Sequence, residues 1–131
     1  MQITQSAYEA IIEQARRELP DEACGYLLGK DDTAVEHYAM TNADHSPEHF
    51  AFEPAEQFAA LRYARRQGLR IVANWHSHPA SPSRPSQEDI RLANDPSISY
   101  LILSLAQEQP VLNAFRIRHG NVEKLPLTII A

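Results

Sequence analysis

His76-Ser77-His78-Pro79-Ala80-Ser81-Pro82-Ser83-Arg84-Pro85-Ser86-Gln87-Glu88-Asp89 is the stretch on which the reading of this chain turns. It offers two imidazoles two residues apart, a hydroxyl and a carboxylate, in the order His-x-His-x7-Ser-x-x-Asp. A catalytic zinc takes three protein ligands from such donors and leaves a fourth position for water. Leu69 to Ser77 reads as a central strand, because Ile71, Val72, Ala73 and Trp75 make it nearly all apolar, as in a strand covered on both faces. The prolines of the loop from Pro79 to Pro85 make it stiff and non-helical. Ser86 to about Ala93 reads as a short helix. The donors therefore stand on rigid elements, a strand end and a helix start.

Residues i and i+2 of a strand point to one face, so the rings of His76 and His78 can converge on one ion. A lone strand-end histidine would more often be a hydrogen-bonded structural residue. Ser86 and Asp89 are three apart and share a helix face. Taken alone, Ser-x-x-Asp is a capping box. Joined to the histidines it reads as the third ligand, since a stiff loop can return the helix start to the strand end and a helix N-terminus favours an anion. Two histidines and an aspartate, with no thiolate, argue for an exchangeable water rather than a closed structural site. Hydrolysis also needs a base, and spacing alone leaves Glu18, Asp21 and Glu22 open.

Working outward, Ala7, Ile11, Ala15 and Leu19 follow helical spacing, with Ser6 as N-cap, Glu9 three later, and Pro20 as the stop. Cys24 to Gly29 reads as a buried strand, Lys30-Asp31-Asp32 as a turn, and Ala34 to Met40 as the hairpin partner. Residues 42–54 form a polar loop. Glu53 opens a helix to about Gln67, which Gly68 terminates. Strands follow at Ser99–Ala106, Val111–Arg118 and Val122–Pro126. The expected fold is α/β: a single three-layer domain spanning 1–131, with a mixed curved sheet flanked by helices.

The chain has 131 residues, 44% of them hydrophobic, and a formal net charge of −5, an ordinary globular composition. Its densest basic spot is Arg62, Arg65, Arg66 and Arg70, so nucleic acid is not expected as a partner. Cys24 is the only cysteine, which precludes an intramolecular disulfide and fits a reducing compartment. With neither a signal-peptide pattern at the N-terminus nor a bilayer-length apolar run, a cytoplasmic protein without a membrane partner is expected.

Glu22, the Cys24-Gly25-Tyr26-Leu27-Leu28-Gly29 strand, His76-Ser77-His78-Pro79 and Ser86-Gln87-Glu88-Asp89 together resemble the JAMM/MPN+ (Mov34/MPN/PAD-1) metalloprotease family. The similarity covers most of the chain, and the combined motif shows no departure from the family's catalytic pattern. The resemblance implies the MPN/JAB fold, which is cytidine-deaminase-like, and one zinc ion on His76, His78 and Asp89. It implies Glu22 as general acid/base and Ser86 as holder of the water or stabiliser of the oxyanion. Ser77 should point the other way into a structural hydrogen bond. The chain resembles the compact bacterial members, which implies a ubiquitin-like sulfur-carrier protein ending in Gly-Gly as partner and release of cysteine from its C-terminal glycine as one activity. A deubiquitinase-like isopeptidase, a small-peptide metallopeptidase and a non-enzymatic MPN-type scaffold are the alternatives.

Other features read more plainly. His45 and His49 are four apart, but Pro47 between them argues against a helix and a second metal, leaving a substrate-facing or solvated loop. His37 and His119 look like ordinary strand or turn residues. Trp75 reads as core packing. Cys24 reads as a buried structural thiol, since no basic group nearby lowers its pKa. A non-haem iron oxygenase also uses two histidines and a carboxylate, but it would give Glu22 no task. A chain of this length cannot close a (β/α)8 barrel of about 250 residues.

Overall fold

The computed structural model describes residues 1–131. Strand β1 (Gln2–Thr4) runs straight into helix α1 (Gln5–Arg17). The hairpin β2 (Cys24–Lys30) and β3 (Thr33–Met40) follows, then helix α2 (Pro54–Arg66) and strand β4 (Arg70–His78). Helix α3 (Gln87–Leu92) and strands β5 (Ser99–Ser104), β6 (Val111–Arg118), β7 (Asn121–Leu125) and β8 (Thr128–Ile130) complete the chain. The sheet order is β7-β6-β5-β4-β2-β3-β1-β8. β4 lies antiparallel to β2 and parallel to β5, so the sheet is mixed and β4 is central, as expected.

The connection between β7 and β8 shapes the whole sheet. These strands are its two outer edges, yet only Pro126 and Leu127 separate them. Two linking residues span at most about 11 Å, so the sheet must curl until its edges nearly meet. The N-terminal residue fastens the seam: the Met1 ammonium donates to the Pro126 carbonyl at 2.9 Å and Thr128 N donates to the Met1 carbonyl at 3.0 Å. Inside the curl lies α1. Its Ala7, Ile11 and Ala15 bury against Leu27 of β2, Ala73 and Trp75 of β4, and Leu101 and Leu103 of β5.

The convex face carries the other two helices over separate clusters. Ala60 and Ala64 of α2 cover Cys24, Tyr26, Leu28 and Met40. Ile90 of α3 and Ala93, its C-cap, cover Tyr100, Ile102, Phe115 and Ile117. The gap between the helices leaves the middle of β4 uncovered on this face.

Two readings need correction, at the cap of α1 and at the edge strands. The N-cap of α1 is Thr4, not Ser6: Thr4 Oγ1 accepts from Ala7 N at 3.2 Å. With no linker after β1, the last strand residue takes the cap. β1 and β8 were not expected, because three-residue strands are too short to show a period of two. Gly68 ends α2 at φ 70 as its position implies.

Gly25 is required by a close approach. A Cβ there would collide with the Tyr38 carbonyl of β3 and stand 2.8 Å from the Trp75 indole nitrogen on β4. Both neighbours are fixed in the sheet. Gly25→Ala should therefore destabilise by roughly 2 kcal/mol or more, seen as a lowered midpoint in urea unfolding; an unchanged midpoint would contradict this packing.

Candidate metal centre

Alternation along β4 separates two tasks. Ala73, Trp75 and Ser77 face α1, while Asn74, His76 and His78 face the convex side. Trp75 is fully buried in the core under the sheet. The Ser77 hydroxyl oxygen accepts from Ala23 N at 2.8 Å, and Ser77 N donates to the Ala23 carbonyl at 2.9 Å. These bonds prolong the β2–β4 ladder one step past its last regular pair, Cys24 opposite His76. Continued in that register, Glu22 comes opposite His78 and shares its face. Of Glu18, Asp21 and Glu22, Glu22 is the one this register brings to the face of His78.

His76 Nε2, His78 Nε2 and Asp89 Oδ2 form a closed triangle with sides of 3.1, 3.2 and 3.1 Å. Each has a support. His78 Nδ1 lies 2.8 Å from the Pro82 carbonyl. A carbonyl only accepts, so Nδ1 carries the proton and neutral His78 aims its Nε2 lone pair into the triangle. The prolyl loop that provides this carbonyl is held from β5 and β6: the Ser83 and Ser104 hydroxyls donate to the Ile102 and Ser81 carbonyls, both at 2.6 Å, and Asn113 Nδ2 donates to the Ser83 carbonyl at 3.1 Å. The ring of Phe50 stacks on His76, centroids 4.6 Å apart.

Ser86 and Asp89 do form a capping box. Asp89 N donates to Ser86 Oγ at 3.0 Å, and Ser86 N donates to Asp89 Oδ2 at 2.9 Å. The cap and the donor set are not alternatives, because the same Oδ2 serves both. The cap fixes the rotamer that places this oxygen beside the imidazoles.

The donor set fits a divalent cation. A tetrahedral ion with bonds of about 2.0–2.1 Å holds its donors about 3.3 Å apart, close to the triangle seen here. Where an imidazole Nε2 carries a proton it bonds to the Asp89 carboxylate; unprotonated, the three atoms offer their lone pairs to one point. Glu22 stands outside this three-residue group.

Electrostatics distinguishes the four groups. Burial pushes His76 down from its ordinary value. Burial also acts against charging His78, but Asp89 and the Pro82 carbonyl outweigh it and raise its pKa. Burial opposes ionisation of Asp89, yet hydrogen bonds with His76 and His78 prevail and hold it well below the usual carboxylate range. Glu22 is buried, its Oε1 has no hydrogen-bond partner, and desolvation raises its pKa to about 8, partly offset by His78. Burial likewise pushes the Cys24 thiol up, so it is a protonated core residue beside His76 rather than a nucleophile.

A groove of about 640 Å³ runs from His76 and Asp89 between α2 and α3. Tyr26, Phe52 and Leu61 line it on one side, Leu92, Ile98 and Tyr100 on the other. Sequence reasoning missed Phe50, Phe52 and Asn42. Phe50 and Phe52, two aromatics two apart at the end of a polar loop, were the available signal. The loop is not simply solvated, since it packs on His76 and on Glu22. His45 and His49 do not converge: His49 Nδ1 pairs with Asp44 at 3.0 Å, and His45 takes a turn conformation at φ 45.

Glu22 makes metal-free stability depend on pH. Its pKa is about 8 folded against 4.5 ordinarily, so the folded chain keeps a proton that the unfolded chain gives up. The advantage is complete below about pH 4.5 and is lost as the pH rises through about 8. Metal-free Glu22→Gln should therefore gain thermal stability relative to the native chain as the pH goes from 5 to 9. A difference in melting temperature that does not change with pH would contradict this.

The family described as prokaryotic homologs of the JAB domain matches residues 4–118. A CysO-cysteine peptidase of Mycobacterium tuberculosis is 34% identical over 124 residues, covering 92% of this chain and 85% of that protein. A desampylase of Pyrococcus furiosus is 36% identical over 69 residues, 53% of this chain and 49% of that protein. A solution structure of a Desulfitobacterium hafniense protein superposes with TM-score 0.91 at 43% identity, over 98% of this chain and 91% of that one. A JAB1/MPN domain protein of Archaeoglobus fulgidus, 23% identical, shares the fold at TM-score 0.68 over the full length of both chains. This chain belongs to the JAB family, and its curled eight-stranded sheet with three helices is that family's fold.

Proposed function

We propose that this chain is a zinc-dependent hydrolase that cleaves the amide bond after the C-terminal Gly-Gly of a ubiquitin-like sulfur-carrier protein. Releasing cysteine from such a carrier is the activity put forward. The carrying observation is a triangle of three metal donors beside a buried carboxyl with a free oxygen, at the end of an apolar groove. The extent of the match to the mycobacterial peptidase supports this choice of substrate.

His76, His78 and Asp89 would hold the ion. When bound, it supplies Lewis acidity, lowering the pKa of a water from about 15.7 to about 7 and polarising a carbonyl. Glu22 contributes proton transfer. A buried carboxyl with a free oxygen on the face of His78 can accept a proton from the attacking water and return it to the departing amine. Ser86 Oγ accepts from Asp89 N, and its hydroxyl hydrogen remains free to donate to the oxygen of the scissile carbonyl. The groove would receive an extended tail, for which glycines suit the narrow approach to His76 because they bring no side chain.

The desampylase supports a second reading, in which the scissile bond is an isopeptide link between a ubiquitin-like protein and a lysine. The two readings share every site residue and differ in the amine that departs.

The zinc-loaded chain should release free cysteine from a carrier–cysteine adduct, followed by mass spectrometry. Cleavage of only a carrier–lysine isopeptide would favour the second reading; neither product from zinc-loaded, folded protein would overturn the proposal. Glu22→Ala should abolish turnover while one zinc stays bound, and retained turnover would remove the acid–base role. Ser86→Ala should lower kcat by about a hundredfold and cost about 1 kcal/mol through the lost cap. A loss of stability with unchanged kcat would leave Ser86 only its capping role.

A further inference from the structure

The loop from Asn42 to Phe52 supplies no donor to the metal site, yet it holds the main chain of Glu22 on both sides. Glu22 N donates to the Ser46 carbonyl at 2.8 Å. Asn42 Nδ2 donates to the Glu22 carbonyl at 3.0 Å. The rest of that amide organises the loop itself. Nδ2 also donates to the His49 carbonyl at 3.0 Å and lies 3.4 Å from the Ser46 carbonyl. Oδ1 accepts from Asp44 N at 3.0 Å and Ala51 N at 3.3 Å. A primary amide has two hydrogens and two acceptor positions; all are used here, on a side chain only 3% exposed.

Beyond its bonds to this loop, Glu22 makes no hydrogen bond of its own. It precedes the first residue of β2, and the last sheet-like bonds toward β4 are those of Ala23. Its Oε1 has no hydrogen-bond partner, so the carboxyl does not anchor itself. A second anchor fixes the loop to the body: Thr41 N and Oγ1 donate to the Glu56 carboxylate of α2 at 2.7 and 2.9 Å. With no hydrogen bond at its Oε1, the carboxyl takes its place from the backbone that the loop tethers.

We propose that Asn42 is the positioning residue for Glu22, locking its main chain to the 42–52 loop so that the free carboxyl oxygen is held beside the metal donors. This rests on the reading of Glu22 as general acid/base. Asn42 touches neither substrate nor metal donors and acts through Glu22. A misplacement of about 1 Å at such a group costs on the order of a hundredfold in rate.

The test uses the full chain, zinc-loaded, with the carrier–cysteine adduct as substrate, comparing Asn42→Ala, Asn42→Ser and Glu22→Gln. Asn42→Ser retains one donor and one acceptor with less reach. In Asn42→Ala, amide exchange at Glu22, Asp44 and Ala51 should quicken by at least about tenfold, while Leu27 and Leu101 are unchanged. kcat should fall roughly 10–100-fold, with KM held within about twofold. Zinc affinity should change by less than about tenfold, below the usual effect of losing a ligand's own support. Asn42→Ser should fall between, and it decides the matter if Asn42→Ala does not fold. Native kcat despite loosened amides would overturn the proposal, as would a fall in kcat matched by equal loss of zinc. If Glu22→Gln is inactive while both Asn42 variants keep native kcat, this proposal alone fails. If Glu22→Gln turns over normally, the acid–base reading fails and takes the proposal with it.

Discussion

Two imidazole nitrogens and a carboxylate oxygen held 3.1–3.2 Å apart form one compact donor set, hydrogen-bonded where an imidazole Nε2 carries a proton and open to a cation where it does not. Each is kept there by a support that does other work. The ladder between β2 and β4 sets His76 and His78 on one face. The prolyl loop gives His78 a carbonyl that fixes its tautomer. The capping box of α3 aims the Asp89 oxygen. The fold thus holds three metal-type donors at one point, a set that a divalent cation would complete.

The curl of the sheet allows this without sacrificing the core. With α1 enclosed by the concave face, Trp75, Leu101 and Leu103 build an interior that does not involve the site. The convex face is then free to carry two small clusters with a gap between them. That gap becomes the groove, and its floor is the face of β4 that holds the histidines. One strand therefore serves the core with one set of side chains and the donor triangle with the other.

The central strand, both large helices, the hairpin and the donor set were legible because each has a local pattern. Leu69 to Ser77 is apolar throughout, Gly68 punctuates α2, and His-x-His needs only a strand to converge. The Ser86–Asp89 pair was legible too, although sequence posed as alternatives a cap and a donor position that fall on one oxygen. β1 and β8 were hidden because three residues carry no period, and Thr4 capped α1 because β1 abuts it. Asn42 was illegible for a different reason. Its partners Glu22, His49 and Ala51 are joined by loop closure, which leaves no regular spacing, so an asparagine in a polar stretch looks like any turn residue. That Glu22, and not Glu18 or Asp21, shares the face of His78 likewise follows from the β2–β4 register, a long-range property.

Zinc-edge X-ray absorption of the zinc-loaded chain tests the central claim most directly. The account predicts one ion per chain in a four-coordinate shell of nitrogen and oxygen at about 2.0–2.1 Å, with outer-shell scattering from two imidazoles and none from sulfur. A shell containing sulfur at about 2.3 Å, or one without imidazole scattering, would contradict it.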